Sequence, residues 1–432
     1  MRRRLLAVLA VGALVLGLAP VASAADVATF GTPSAESSFG NGIDFTQPVT
    51  VSKPVGRVEL LLTTADAIGP TVIEVPNPPI TGATTLTHHF DQADGFLLAN
   101  TPVRAQWRLI GADDSADIQV GPEVRITYAD DRFDWKTEAG DIVRVHWTEG
   151  SEAFGRRALR IAEDAVAESS KLLGVTETDP MDFYIYADEN AFRAAIGPGV
   201  RENVGGLAVA QIRTLFALIP PSQIDDAWVG IVIPHELTHL VFNTASKNPY
   251  HFPPHWLNEG LADYVSQGYD RQYRNAVGDA ARSGDLIPLD GLIGQFPTTS
   301  DRFYLAYAES VSAVDYMVRT YGTDALVALI RSYADGRTDD EAFSDALGVD
   351  AAAFGDAWLN DVNGKQPTRY GPQPAPAGPV PAAWGGSTGS DAASRPGAVP
   401  DWVAPMVALT GVVVIVLLVV GARRSRPKAP GW

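Results

Sequence analysis

Ile231-Val232-Ile233-Pro234-His235-Glu236-Leu237-Thr238-His239-Leu240-Val241-Phe242 is the stretch on which the fold and chemistry of this chain turn. Apolar residues flank two histidines four positions apart. On a helix, i and i+4 stack on one face, so both imidazoles can meet one zinc ion. Glu236 is turned roughly 100° from His235 and reaches towards a metal-bound water instead of the metal, the place of a general base. Pro234 removes a hydrogen bond to residue 230 from that helix, and Gly230 there eases the clash.

A zinc site on protein needs a third ligand. A continuation as His-x-x-Gly-x-x-His would put glycine at 242 and histidine at 245. Phe242 and Ala245 stand there, which excludes that class. Instead Trp256-Leu257-Asn258-Glu259-Gly260-Leu261-Ala262-Asp263-Tyr264 follows, with Glu259 twenty residues after His239. A second helix packed antiparallel to the first could aim Glu259 at the same ion. Glu259 and Asp263 form a like-charge i, i+4 pair that costs a few tenths of a kcal/mol on an ordinary helix. The cost disappears if Glu259 binds zinc and Asp263 accepts an N–H from a ligand histidine. The chain has no cysteine, which rules out thiol catalysis, disulfides and thiolate ligands and leaves His and Glu to hold the metal.

His235-Glu236-x-x-His239 with Asn258-Glu259-x-x-x-Asp263 resembles the gluzincin metallopeptidases, the clan of thermolysin and aminopeptidase N. The phrase from Trp256 to Ala262 is similar to bacterial peptidase MA-like domains, and the resemblance runs from about Val143 to Val362. It implies one Zn2+ held by His235, His239 and Glu259, with Glu236 activating a zinc-bound water, and hydrolysis of a peptide or protein substrate. It also points to Tyr307 as the phenol that steadies the tetrahedral intermediate, with Tyr304 the alternative. Here Tyr307-Ala308-Glu309-Ser310 replaces the Tyr-Glu-Lys-Gly-like stretch of the aminopeptidase branch. No Gly-x-Met-Glu-Asn segment is present, so endo- and exopeptidase action both stay open. Val204–Ala210, with Gly206, occupies the place of an edge strand that pairs with an extended peptide. His255 and His251 stand just before the second ligand segment, where they can line the cleft. The second reading is a zinc-binding but proteolytically inactive envelope module, which closure of the coordination by a fourth residue such as His255 would favour.

Around this centre the chain divides into unlike parts. Period-two alternation, as in Val103-Arg104-Ala105-Gln106-Trp107-Arg108-Leu109, predicts an all-β domain over 25–136, a sandwich of immunoglobulin or fibronectin type with Trp107 in its core. His88-His89 lies in a polar strand-like stretch and is read as strand surface. Residues 141–363 predict an α+β metallopeptidase-like domain, a small sheet first and then helices, with Phe154–Leu173 a helix stopped by Gly174. Residues 364–401 are a Pro/Gly-rich linker, whose prolines favour extended conformations.

The ends carry the address. Three arginines, an apolar run and Ala22-Ser23-Ala24 read as a signal peptide over 1–24. Residues 402–422 contain no charge and are long enough for a transmembrane helix. A basic tail at 423–432 places the C-terminus in the cytoplasm. The predicted location is a bacterial plasma membrane, single-pass, with the bulk outside. The 33 Lys+Arg against 51 Asp+Glu give a net charge of −18. Seven of those cations sit at the two extremes, so the segment between carries −25, which excludes a nucleic-acid partner. Oligomeric state is left open.

Overall fold

The structure, a computed structural model, describes residues 28–366 except 66, 77–79, 93–96, 113–117, 198–204 and 249. The expected signal peptide, transmembrane helix and basic tail, and nearly all of the expected linker, lie outside those residues.

Alternation governs the first domain. Its described strands are β1 (Ala28–Phe30), β2 (Ser34–Ser38), β3 (Gly42–Thr64), β4 (Thr71–Val75), β5 (Ile80–Asp91), β6 (Thr101–Gly111), β7 (Ile118–Val120) and β8 (Val124–Tyr128). Along β6 the apolar positions Val103, Ala105, Trp107 and Leu109 are buried, while Arg104 faces solvent. The all-β expectation is met, but the layering differs from two independent sheets. All eight strands join one hydrogen-bonded sheet organised on β3, which runs for 23 residues. The first half of β3 pairs with β1, β2 and β5, and the second with β4 and β6. Register shifts between Val51 and Val55, around Pro54, and again between Val55 and Arg57, at Gly56, so the strand bends there instead of ending. Gly56 is required at this point: a Cβ would fall 2.9 Å from the Ala112 Cα. The sheet thus wraps on itself around Ile43, Phe45, Leu60 and Trp107. His89 lies on this domain's surface, paired with Asp44 at 2.8 Å.

The second domain opens with β9 (Lys136–Ala139), β10 (Val143–Trp147), α1 (Glu152–Leu173), β11 (Met181–Tyr186), α2 (Glu189–Ile196), β12 (Gly206–Val209) and β13 (Thr214–Leu218). These strands form a five-stranded sheet in the order β12-β13-β11-β10-β9. The inner strands are parallel and the two edges antiparallel. A parallel pair needs a crossover, and α1 supplies it between β10 and β11. Ser151 caps its start, and Gly174, at φ 63°, takes the left-handed stop. Helices α3 (Val229–Ser246), α4 (His255–Ser266), α5 (Arg271–Ser283), α6 (Ser300–Tyr321), α7 (Thr323–Ser332), α8 (Asp339–Leu347) and α9 (Ala351–Asp361) complete the domain.

The apolar faces of α1, α3, α4 and α6 share one core with the inner face of the sheet. On the opposite face, Leu207, Val209, Phe216 and Tyr186 pack with Phe192 and Ile196 of α2 and with Ala99, Phe133 and Trp135. This smaller cluster joins the two domains. At its margin the buried Asp130 accepts the Tyr186 hydroxyl at 2.9 Å and is gripped by Arg132 at 2.7 Å.

Candidate metal centre

Helix α3 is apolar almost all round, so both its histidines are buried: 1% exposed for His235 and 5% for His239. Thr238, between them, hydrogen-bonds to the Pro234 carbonyl at 2.8 Å and meets Ser169 of α1 at 2.9 Å, which steadies the helix where proline interrupts its bonding. Helix α4 packs against α3 and carries Asn258, Glu259 and Asp263 into the same region. It also approaches α6 so closely that a Cβ on Gly260 would lie 2.4 Å from the Ser310 carbonyl oxygen. Glycine at 260 therefore sets the α4–α6 distance.

Three atoms converge between these helices. His235 Nε2 and His239 Nε2 are 3.2 Å apart, and Glu259 Oε2 lies 3.4 and 3.6 Å from them. A tetrahedral ion with bonds near 2.05 Å separates its ligand atoms by about 3.3 Å, so the triangle fits zinc without rearrangement. Among the described residues this is the one His/Asp/Glu group with metal-ligand spacing. The outer nitrogens face acceptors: His239 Nδ1 is hydrogen-bonded to the Asn258 side-chain oxygen at 2.9 Å, and His235 Nδ1 lies 3.0 Å from Asp263 Oδ1, close but off hydrogen-bonding geometry. An acceptor beside Nδ1 favours the N–H there and so turns the Nε2 lone pair inward. Neither Glu259 oxygen has a hydrogen bond of good geometry, although the residue is fully buried. A fully buried carboxylate facing two imidazole nitrogens calls for a cation.

The electrostatics agree. Burial pulls the His235 imidazole down, but the Asp263 and Glu259 carboxylates outweigh it and raise its pKa well above the ordinary range. Burial likewise raises Glu259, yet the neighbouring His239 and His235 bring it down to about 2. The pocket therefore favours positive charge at its centre. Glu236, 2% exposed, is instead pushed up, chiefly by burial, and its Oε2 accepts the Ala208 N–H of edge strand β12 at 3.0 Å. Gly206 permits this approach, since a Cβ there would meet the Glu236 Cγ at 3.0 Å.

The sequence-predicted residues separate cleanly. Tyr307 of α6 is buried, with its ring 6.4 Å from that of His235. Burial raises its phenol well above the usual range, and the Glu259, Asp263 and Glu236 charges add to the effect. Tyr304, one turn earlier, instead packs its ring 5.5 Å from Tyr273, and burial pushes its pKa up to about 12. His255 borders the centre with Nε2 at 3.6 Å from Glu259 Oε1, edge-on to Phe296, but outside the ligand triangle. His251 is elsewhere, stacked on Tyr333 and 3.4 Å from Asp339. Two contributors escaped the sequence reading. Asn258 is the His239 acceptor, signalled only by its place beside Glu259. Tyr273, on α5, donates its hydroxyl to Asp263 Oδ2 at 2.9 Å, and no local pattern marks it.

Two histidines from one helix and a glutamate from the next are the ligand set of a zinc metallopeptidase of the gluzincin type. More narrowly, residues 161–364, just under half of the chain, match the family model of the Peptidase MA superfamily. A search of curated proteins finds no match. Solved structures with similar outlines include an M1 zinc metallopeptidase from Deinococcus radiodurans (14% identity, 81% of this chain and 95% of that one, TM-score 0.36). Another is an aminopeptidase N family protein from Idiomarina loihiensis (12% identity, 78% and 77%, TM-score 0.42). At such scores the family match and the ligand geometry carry the assignment.

Proposed function

We propose that this protein hydrolyses peptide bonds at the outer face of a bacterial plasma membrane, with Glu236 as the general base. The observation that carries the reading is the pairing of a buried three-ligand centre with a carboxylate beside it that ligates nothing. His235, His239 and Glu259 would hold a zinc ion, which would supply Lewis acidity towards a water and a substrate carbonyl.

The chain's own residues do the rest. Glu236, raised by burial, is suited to take a proton on its carboxylate during attack and return it to the leaving amine. The Ala208 N–H fixes that carboxylate's orientation. Tyr307, kept neutral by burial, offers its O–H to the oxyanion. Strand β12 pairs only with β13 among the described strands, and the Ala208 N–H points away from β13. By the two-residue repeat, the Gly206 peptide group and the Ala208 carbonyl share that edge, the Ala208 N–H being taken by Glu236, and an extended substrate can add there as a strand. The apolar run at 402–422 and the signal at 1–24 supply the address: export of the bulk and retention by one span.

The test is Glu236→Gln. The variant keeps stoichiometric zinc by metal analysis and loses at least about a hundredfold in cleavage of a peptide library, the usual scale of a general base. Undiminished cleavage by the metal-loaded variant would sink the proposal.

A further inference from the structure

The rings beside the metal centre form one continuous set of contacts. Phe296 packs edge-on to His255, at 4.5 Å between centroids, and to Tyr307, at 5.2 Å. Phe303 closes the group, 5.1 Å from Tyr307 and 6.3 Å from Phe296. These are distances of direct ring contact, so no further ring fits between them. Phe296, Phe303 and Tyr307 are all buried. Both rings that Phe296 meets border the centre: His255 at 3.6 Å from Glu259, and Tyr307 at 6.4 Å from the His235 ring.

The backbone sets Phe296 in this place. Residues 293–299 join the turn at Leu289–Leu292 to α6. At one end the Ile293 carbonyl accepts the His255 N–H at 2.8 Å, which ties the segment to the start of α4. At the other end α6 begins at Ser300 and carries Phe303 and Tyr307, one turn apart. Phe296 is therefore placed against the helix of Glu259 and the helix of Tyr307 at once.

We propose that Phe296 determines which peptides are cut. With Phe303 and His255 it forms the wall against which lies the side chain of the residue whose carbonyl is attacked, and its ring limits that side chain to a small one such as alanine's. This rests on peptide hydrolysis as the reaction and on Tyr307 as the oxyanion donor. The Cα of the attacked residue is two bonds from the carbonyl oxygen that meets Tyr307, so its side chain must share the space beside Tyr307 with Phe296. Neither phenylalanine offers a hydrogen bond to a polar side chain, and a large one meets a wall already packed.

A peptide library cut by the zinc-loaded, full-length protein tests this. Wild type favours alanine over phenylalanine at the attacked residue by at least about tenfold in kcat/KM, within the discrimination an apolar site reaches. Phe296→Ala shifts that ratio at least about tenfold towards phenylalanine, and the better-packed Phe296→Leu shifts it less in the same direction. A wild-type preference for phenylalanine, or one ratio in all three proteins, overturns the proposal. Binding gives a readout without turnover, on a Glu236→Gln background, by calorimetry. Propanohydroxamic and 3-phenylpropanohydroxamic acids carry the acyl groups of alanine and phenylalanine without the amine. Phe296→Ala moves their affinity ratio at least about tenfold towards the phenyl compound, and an unmoved ratio overturns the proposal. A protein that cuts no peptide but shows this shift refutes peptide hydrolysis and keeps Phe296 as the size filter at the metal. Cleavage that needs Glu236, with no shift on changing Phe296, refutes the role of Phe296 alone.

Discussion

Asp263 never reaches the metal position, yet it decides what His235 can do there. Its Oδ1 faces the His235 Nδ1 at 3.0 Å, and its Oδ2 accepts the Tyr273 hydroxyl at 2.9 Å. Asp263→Asn keeps the shape but loses the charge that holds the ligand tautomer. Zinc affinity falls about 10- to 100-fold, measured by competition with a chelator, while the fold by circular dichroism stays intact. Glu309, two residues beyond Tyr307, makes a different statement. It is buried and accepts the Ile287 N–H at 3.0 and 3.2 Å, and burial raises its pKa well above the usual carboxylate range. The folded state therefore binds a proton that the unfolded state releases near its ordinary value, and stability from this group declines as pH rises through that window. Glu309→Gln removes the decline. Denaturation midpoints of variant and wild type converge at pH 4 and separate in favour of the variant at pH 8.

Helix spacing is the next constraint. The metal triangle requires α3 and α4 at one separation, and Tyr307 reaches the centre only if α6 lies close to α4. Gly260 sets that second distance, with the Ser310 carbonyl where its side chain would be. Gly260→Ala forces the helices apart at a cost of about 1–3 kcal/mol or more. Urea denaturation reads this as a lower midpoint at unchanged slope. Strand β12 poses a related problem at the other side of α3. Glu236 and Gly206 meet there closely enough that a Cβ would crowd the Glu236 Cγ at 3.0 Å, so Glu236 and the edge strand are positioned by one contact.

At the scale of the molecule, two domains share a small apolar cluster with one buried charge at its margin. Asp130 is 1% exposed, held by Arg132 and by the Tyr186 hydroxyl of the catalytic sheet. Arg132 also donates to the Ala191 carbonyl of α2 at 3.2 Å, so the first domain grips the helix that leads towards β12. Tyr186→Phe leaves the ring packing and deletes a hydrogen bond to a charged group. It costs about 1.5–3 kcal/mol in chemical denaturation. A loss below about 0.5 kcal/mol would show that the two domains do not depend on this bond.

Short-range geometry accounts for what could be read along the chain. The pitch of a helix places His235 and His239 on one face and turns Glu236 off it, whatever surrounds them. The same pitch relates Glu259 to Asp263, and period-two alternation makes the first domain β. Gly174 ends α1 because its left-handed backbone costs little without a Cβ. Tertiary structure decided the rest. Tyr304 and Tyr307 are one turn apart on one helix, and only the packing of α6 puts the Tyr307 ring near His235 and the Tyr304 ring against Tyr273. Asn258 and Tyr273 became partners of the ligand set through packing between helices. The sandwich read from alternation became one wrapped sheet because Pro54 and Gly56 bend β3 without breaking it, a choice between bending and ending that only strand pairing settles. Intervals along one element are properties of the backbone, whereas distances between elements depend on side chains, and missing side chains, far apart in the chain.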